Sequence, residues 1–502
     1  MSSPQPTTGP SQRAILAAVG FAVFIAADDL TVVTTMLRPI INDLGVVLPD
    51  GLDDAAWVVN AYLIAFVAVM PVAGRLSDVY GRRRVFLVAY TLFLVGNVVI
   101  PLSSSLGTFL VGRVLTAAGG GAMVPVALAV VGDVYPVERR TRALGLLGAI
   151  ETFGWVWGPL YGAVLVRFFN WQTQFWLNIP LSVLGMVWVY WALSEHTRPV
   201  RSLKVGWTGA GLLTAALVSL DLGLLGDAEV QSVSGLDQLT GNSGFDYSVL
   251  LPVGVAFSLV FWWQQRQVPD PIFDPSLKSN RTALRAMGVN VIVGAALVVT
   301  MVNVPIFVNA VAIDIKSAAV LSGWLLSSMT ASMALTSYIG GLVAQRRGYR
   351  LGVITGLAMA TGAFALIAAT WEPSSSPVSQ AMMLALLGAG LGLTIAPITS
   401  AVVDAAPPED RGSAASSVMV MRLIGFSIGL AGLTAWALSR FNALRASIEL
   451  PLLTDPGYQQ ALVRAQQELT STAIAETFMA MAVVTMVGLV IGGLSPKHRS
   501  VH

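Results

Sequence analysis

The 502-residue chain has no cysteine and three histidines, and only 11% of its residues are charged. Without cysteine no disulfide staples the loops and no thiolate is available for nucleophilic or redox chemistry. Its four lysines include none that follows a glycine. A GxxxxGK[ST] phosphate loop is therefore ruled out, and with it ATP hydrolysis by that route. The scarcity of charge has the widest consequence. A soluble domain carries about 25% charged residues, whereas this chain is 55% hydrophobic, a composition suited to lipid as solvent.

Long apolar runs are what the chain has instead. Fourteen are expected, at 14–36, 57–74, 85–102, 109–131, 143–166, 175–194, 207–226, 248–264, 285–311, 318–342, 351–370, 380–403, 413–438 and 473–494. Each is close to the ~20 residues that cross a bilayer. Lipid leaves backbone groups unsatisfied unless they pair within their own segment, so the spans must be helices and the fold all-α and polytopic. With the N-terminus inside, the inner loops hold 21 of the 29 Lys and Arg. That bias is expected to place both termini in the cytoplasm. The net charge of +2 then reflects topology and implies no nucleic-acid partner. The three histidines (His196, His498, His502) fall in cytoplasmic segments, so neither a histidine relay nor a metal cage is expected in the membrane. The first apolar run, behind a polar leader with one arginine, is expected to be a retained span and not a cleaved signal.

The chain also repeats itself. Asp133, Pro136, Glu138 and Arg140 spell DxxPxExR, and Asp404, Pro407, Glu409 and Arg411 spell it again 271 residues on. At the same offset Gly119, Gly121, Gly154 and Gly158 recur as Gly390, Gly392, Gly425 and Gly429, while Glu151 recurs as Arg422. Two six-helix halves follow, 14–194 and 285–494. Between them an insertion, 195–284, contributes a two-helix hairpin, and short tails (1–13 and 495–502) flank the whole. A duplicated bundle with an acid in one half and a base at the matching place in the other is the layout of a two-halved transporter.

Charges within the spans are the candidate working residues: Asp28, Asp29, Arg113, Glu151 and Arg422. Each costs about 2.5–3.5 kcal/mol to insert, so they are expected to face an aqueous cavity or one another. Neighbours on a helix point about 100° apart, so one of Asp28 and Asp29 lines the cavity. The sequence leaves open which. Between spans 2 and 3, Gly74 and Gly81 permit a tight turn and close helix approach, and Asp78 and Arg82 can pair with each other and with helix ends as a latch. In span 5, which also carries Gly145, the glycines Gly154, Gly158 and Gly162 give one smooth face spaced by four for close packing or sliding, with Pro159 weakening the backbone beside it. No catalytic constellation accompanies them.

These motifs resemble the major facilitator superfamily, within it the fourteen-helix branch of drug/proton antiporters. Gly74 to Arg84 matches the superfamily's GxLxDxxGRR loop, the span 5 glycines and Pro159 match the antiporter motif Gx8GxxxGPxxG, and Asp29 to Val33 is similar to the branch's DxTIV run. Thr116 and Ala117 stand after Arg113 where the family usually has Gln and Gly, and Gln345 replaces the acid in the second copy of the loop. The resemblance implies alternating access driven by a proton gradient with no cofactor, protons exchanging at Asp28 or Asp29 and at Glu151, and Arg422 pairing with one acid. The runs Gly158–Gly162 (GPLYG) and Leu433–Asn442 (LTAWALSRFN) look like the mycobacterial lipid exporters of the same superfamily. So does an outer helical extension, 440–472, broken at Pro451 and restarted by a cap at Asp455. The expected substrate is a triacylglyceride-like lipid. A lipophilic drug is the alternative, and a transport-inactive receptor or scaffold is a third. The extension's expected seam, Phe441, Leu444 and Ile448 against Leu462, Val463 and Leu469, would shelter acyl chains or dock an extracytoplasmic lipoprotein acceptor.

Overall fold

The computed structural model describes residues 11–45, 52–193, 206–225, 249–268, 277, 280–311, 315–446 and 458–494. Fourteen long helices run through them. The first six are α1 (Gln12–Asp43), α2 (Leu52–Tyr80), α3 (Arg82–Val99), α4 (Leu106–Val134), α5 (Val137–Phe168) and α6 (Gln172–Ala192). A hairpin follows, α7 (Trp207–Leu225) and α8 (Leu250–Gln265). The last six are α9 (Arg281–Val311), α10 (Ile315–Arg347), α11 (Tyr349–Thr370), α12 (Pro377–Val403), α13 (Arg411–Ala446) and α14 (Tyr458–Gly493). Each overlaps one of the fourteen apolar runs, and several, α2, α13 and α14 among them, extend well past it. Among the described residues nine of the helices are long and apolar enough, by length and composition, to cross a membrane, and α7 and α8 contribute shorter apolar stretches.

Helix ends follow ordinary capping chemistry. Ser11, Ser105 and Ser376 accept hydrogen bonds from the backbone amides of Ala14, Thr108 and Ser379, satisfying donors that the first helical turn cannot. Two sharp corners need glycine. Gly81 before α3 and Gly348 before α11 have φ of 91° and 81°, a region that side chains disfavour.

The sequence repeat is a packing repeat. In the first half α1 packs on α5, α2 and α3 on α4, and α3 on α6; in the second α9 packs on α13, α10 and α11 on α12, and α11 on α14. Its glycines mark the same crossings. A Cβ on Gly119 would press on Ala89 and Phe93 of α3, and one on Gly390 on Gly356 and Ala360 of α11. Gly121 abuts Phe66 of α2, and Gly392 abuts Met333 of α10. Gly154 and Gly158 lie against Phe24, Asp28 and Val32 of α1, while Gly425 and Gly429 lie against Val291 and Ala295 of α9. With no side chain between them the backbones meet directly, the condition for tight helix association in lipid. Ala295 thus occupies the place of Asp28. The acids are private to the first half.

The halves meet along two seams, α5 on α10 and α2 on α13. The inserted hairpin lies against the second. Thr214 of α7 donates to the Ala68 carbonyl of α2 (3.2 Å), and Ala210, Leu213, Leu217 and Phe261 form a cluster with Val67 of α2 and Val420 of α13. The linkers on either side of the hairpin, its connecting loop and the tail 495–502 lie outside the described residues.

Candidate functional site

One end of the bundle carries the α2–α3, α4–α5 and α12–α13 turns and is dense in arginine. There each copy of DxxPxExR reaches across to the other. Arg411 of the second copy donates to Asp133 of the first (3.2 Å), and Arg140 of the first pairs with Asp404 of the second. Each aspartate also takes a donor at the corner of its own half: Arg82, beside Gly81, bonds Asp133 (3.0 Å), and Tyr349, beside Gly348, bonds Asp404. Arg75 adds a third bridge, to Asp410 (2.8 Å). A duplicated motif whose acid pairs with its twin's base is satisfied only when the halves are closed at this end.

Asp78 breaks the symmetry. Its carboxylate pairs with Arg82 and accepts from the backbone amides of Gly412 (2.9 Å) and Ser413 (2.8 Å) and from the Ser413 hydroxyl (2.9 Å). These amides open α13, so a buried anion sits on the positive end of a helix of the opposite half. Gly74 allows it, because a Cβ there would meet the Gly412 carbonyl and the Ser416 hydroxyl. At the other seam the equivalent loop has Gln345, and contact rests on small groups and on Arg142, which donates to the Tyr338 hydroxyl (2.9 Å). Ser337 donates to the Gly145 carbonyl (3.2 Å), and Gly341 lies on the backbone of Thr141.

Deeper in the bundle the five predicted charges fall into two groups. Asp29, wholly buried, accepts from Arg113 of α4 (3.3 Å) and Asn178 of α6 (3.4 Å), and the Arg113 guanidinium lies 4.0 Å over the ring of Tyr62 of α2. Asp28 points elsewhere and accepts from Gln174 of α6 (3.0 Å). Glu151 and Arg422 form the second group, 3.8 Å apart across the two halves. That separation holds charges together but is too long for a hydrogen bond. Nε and Nη2 of Arg422 are buried and make no hydrogen bond among the described residues. The repeat-equivalent acid and base therefore face one another on the axis between the halves. Neither aspartate pairs with Arg422 among the described residues. Described hydrogen bonds and ion pairs between the halves all lie from this level to the arginine-rich end.

Past Glu151, α5 presents an apolar strip of Phe153, Trp157, Leu160 and Val164, all exposed at one helical spacing, with Phe24, Phe153, Trp157 and Tyr161 in a stacked series. Gly162 continues the glycine face of this helix onto Val32. The backbone of Pro159 stays within the helix. In the extension, α13 and α14 are each 36 residues, about 54 Å at 1.5 Å per residue, against the ~30 Å of a hydrocarbon core. Arg440 and Glu476 join them by a two-pronged pair (2.6 and 2.9 Å). The expected break at Pro451 and cap at Asp455, with Ile448, lie outside the described residues; of the seam side chains only Leu469 is described, and it is buried.

Counting charges alone missed Tyr62, Gln174 and Asn178. The two amides stand one helical turn apart in the apolar run of α6, and that spacing was the available signal.

Two bundles repeated in sequence and in packing, latched at one end and carrying a facing acid and base between them, define a two-halved membrane transporter. The chain belongs to the Major Facilitator Superfamily, which it matches over residues 19–430. It is 34% identical to the triacylglyceride transporter of Mycolicibacterium smegmatis, over 96% of this chain and 87% of that one. With the triacylglyceride transporter of Mycobacterium tuberculosis the identity is 32%, over 96% and 94%. Among solved structures, the human organic anion transporter MFSD10 superposes with a TM-score of 0.63 at 15% identity, over 96% of this chain and all of that one. The proton:xylose symporter XylE gives 0.60 at 9% identity, over 94% of each. The last two likenesses concern the fold alone. Family and relatives identify a multi-pass transporter and not an enzyme.

Proposed function

We propose that this protein exports an apolar, triacylglyceride-like lipid by alternating access, driven by the proton gradient across a bacterial cytoplasmic membrane. The carrying observation is the Glu151–Arg422 pair, an acid and a base at repeat-equivalent positions facing across the two halves. The arginine-rich end is taken as cytoplasmic, with both termini there, the halves at 14–194 and 285–494, and the insertion at 195–284. The conformation is then closed inside and faces outward. Glu151, neutralised by a proton from outside, releases Arg422, and the loosened axis lets the halves rock until the inner latch (Asp78, Arg82, Asp133, Arg411) parts. Lipid binding inside and proton release complete the cycle. Asp29, tied to Arg113, tunes the first half. Gly154, Gly158 and Gly162, with Pro159, form the surface on which α5 shifts against α1, and Gly145 lets it lie close to α10 of the other half.

Lipid is favoured over drug by the mycobacterial relatives, which are named triacylglyceride transporters, and by the reach of α13 and α14. Acyl chains have no soluble phase and must stay covered until a leaflet or a lipoprotein acceptor takes them. The extension, 440–472, would give that cover; a small cationic dye needs none. In vesicles, replacing residues 443–466 with a short Gly-Ser turn is expected to spare gradient-driven dye export and eliminate triacylglyceride delivery to an acceptor. Equal lipid delivery by the shortened and full-length chains would make multidrug export the better account.

A further inference from the structure

The two adjacent aspartates of α1 are held in unlike settings, and the difference lies in donors. Asp29 has a guanidinium and an amide aimed at it, partners that suit an anion. Asp28 has one neutral donor, Gln174 Nε2, on its Oδ2. Its Oδ1 is buried with no hydrogen-bond partner among the described residues, and so is Oε1 of the same Gln174. Asp28 is 5% exposed and Gln174 not at all. Two side chains already joined through Gln174 Nε2 and Asp28 Oδ2 are thus each left with one buried acceptor oxygen that no described donor reaches. Buried acceptors are rarely abandoned in this way, and a missing hydrogen atom is the simplest thing that satisfies both.

We infer that Asp28 and Gln174 form a neutral acid–amide pair, in which Asp28 holds a proton on Oδ1 and donates it to Gln174 Oε1 while Gln174 Nε2 donates to Asp28 Oδ2. Each group gives one hydrogen bond and takes one, closing a ring that leaves no polar atom of the pair unsatisfied. The proton balance is plain: a carboxylate and a proton become a carboxylic acid, and the local charge falls from −1 to 0.

The surroundings favour the neutral form. α1 packs on α2, α4, α5 and α6. From α2 and α5 the titratable groups in electrostatic reach of Asp28 are the phenols of Tyr62 and Tyr161. From α4 the one cation is Arg113, engaged with Asp29, and α6 supplies Gln174 itself. Glu151, also on α5, is turned to Arg422. The nearest charge is the Asp29 carboxylate on the next residue, which disfavours a second anion beside it. Gln174 is accordingly a positioning residue. It keeps a proton on Asp28 at a site separate from Glu151, so the outward-facing carrier holds one proton even when the Glu151–Arg422 pair is ionised.

This deepens the proton-coupled reading, and infrared difference spectroscopy tests it without transport. With purified full-length protein in lipid at neutral pH, a carbonyl stretch of a hydrogen-bonded protonated carboxylic acid is expected, shifting in heavy water. It should vanish in Asp28→Asn and persist in Asp29→Asn and Glu151→Gln. In Gln174→Leu, which leaves the acid in place, it should move to the higher frequency of an unbonded acid, and Gln174→Asn should restore it in part. This frequency shift stands even if Asp28→Asn fails to fold. No such band at neutral pH, a band indifferent to both Asp28→Asn and Gln174→Leu, or its appearance only when sodium is withdrawn would overturn the assignment. The band present but gradient-driven transport absent would refute the exporter proposal and leave the pair standing.

Discussion

Arg422→Ala is expected to abolish transport and to lower the unfolding free energy by about 3 kcal/mol, and Glu151→Gln in the same chain is expected to return much of that stability. Arg422 and Glu151 are 3% and 8% exposed and 3.8 Å apart. Removing the base alone leaves an acid with no countercharge, and the loss is limited only by the acid's ability to take up a proton. With glutamine at 151 no charge is stranded. The guanidinium has Nε and Nη2 to spare, so the pair is loosely held and suits a group that must let go each cycle. A thermal-unfolding double-mutant cycle reads the coupling directly. Strict additivity would remove Glu151 as the partner.

A comparable loss is expected from filling the α1–α5 crossing. A Cβ on Gly158 would stand 2.8 Å from the Asp28 carbonyl oxygen and 3.0 Å from the Val32 nitrogen. Both are backbone atoms, which cannot rotate aside, so Gly158→Leu pushes two helices apart at a cost of about 3 kcal/mol or more. Transport should fall to background and the melting temperature should drop. Gly107→Leu, at a helix position with nothing within 4 Å, serves as the control and should leave both unchanged. Wild-type transport in Gly158→Leu would mean that the crossing is slack.

The repeat makes most of the fold legible in the sequence. Glycines at one offset of 271 residues point to equivalent crossings, and each of the four pairs marks one. The facing of Glu151 and Arg422 was legible for the same reason, since equivalent residues of a two-fold related bundle meet on its axis. The choice between Asp28 and Asp29 was not. It depends on the roll of α1 against α4 and α6, set by side-chain volumes on three helices at once and not by any local pattern. Gln174 and Asn178 carry no charge and so escape a reading built on intramembrane charges, although a buried amide in lipid also needs a hydrogen-bond partner. The reciprocal pairing of Asp133 with Arg411 and of Asp404 with Arg140 was visible only as a repeated string. Which acid met which base required the halves to be placed together.

Proton coupling through the first-half acids is the central claim, and gradient-driven lipid export in reconstituted vesicles tests it most directly. With an imposed pH gradient, wild-type protein should deliver triacylglyceride to an outside acceptor. Collapse of the gradient should stop delivery. Glu151→Gln and at least one of Asp28→Asn and Asp29→Asn should insert and fold normally yet deliver lipid only at background rate. Wild-type delivery rates in all three isosteric variants, or delivery indifferent to the gradient, would contradict the account.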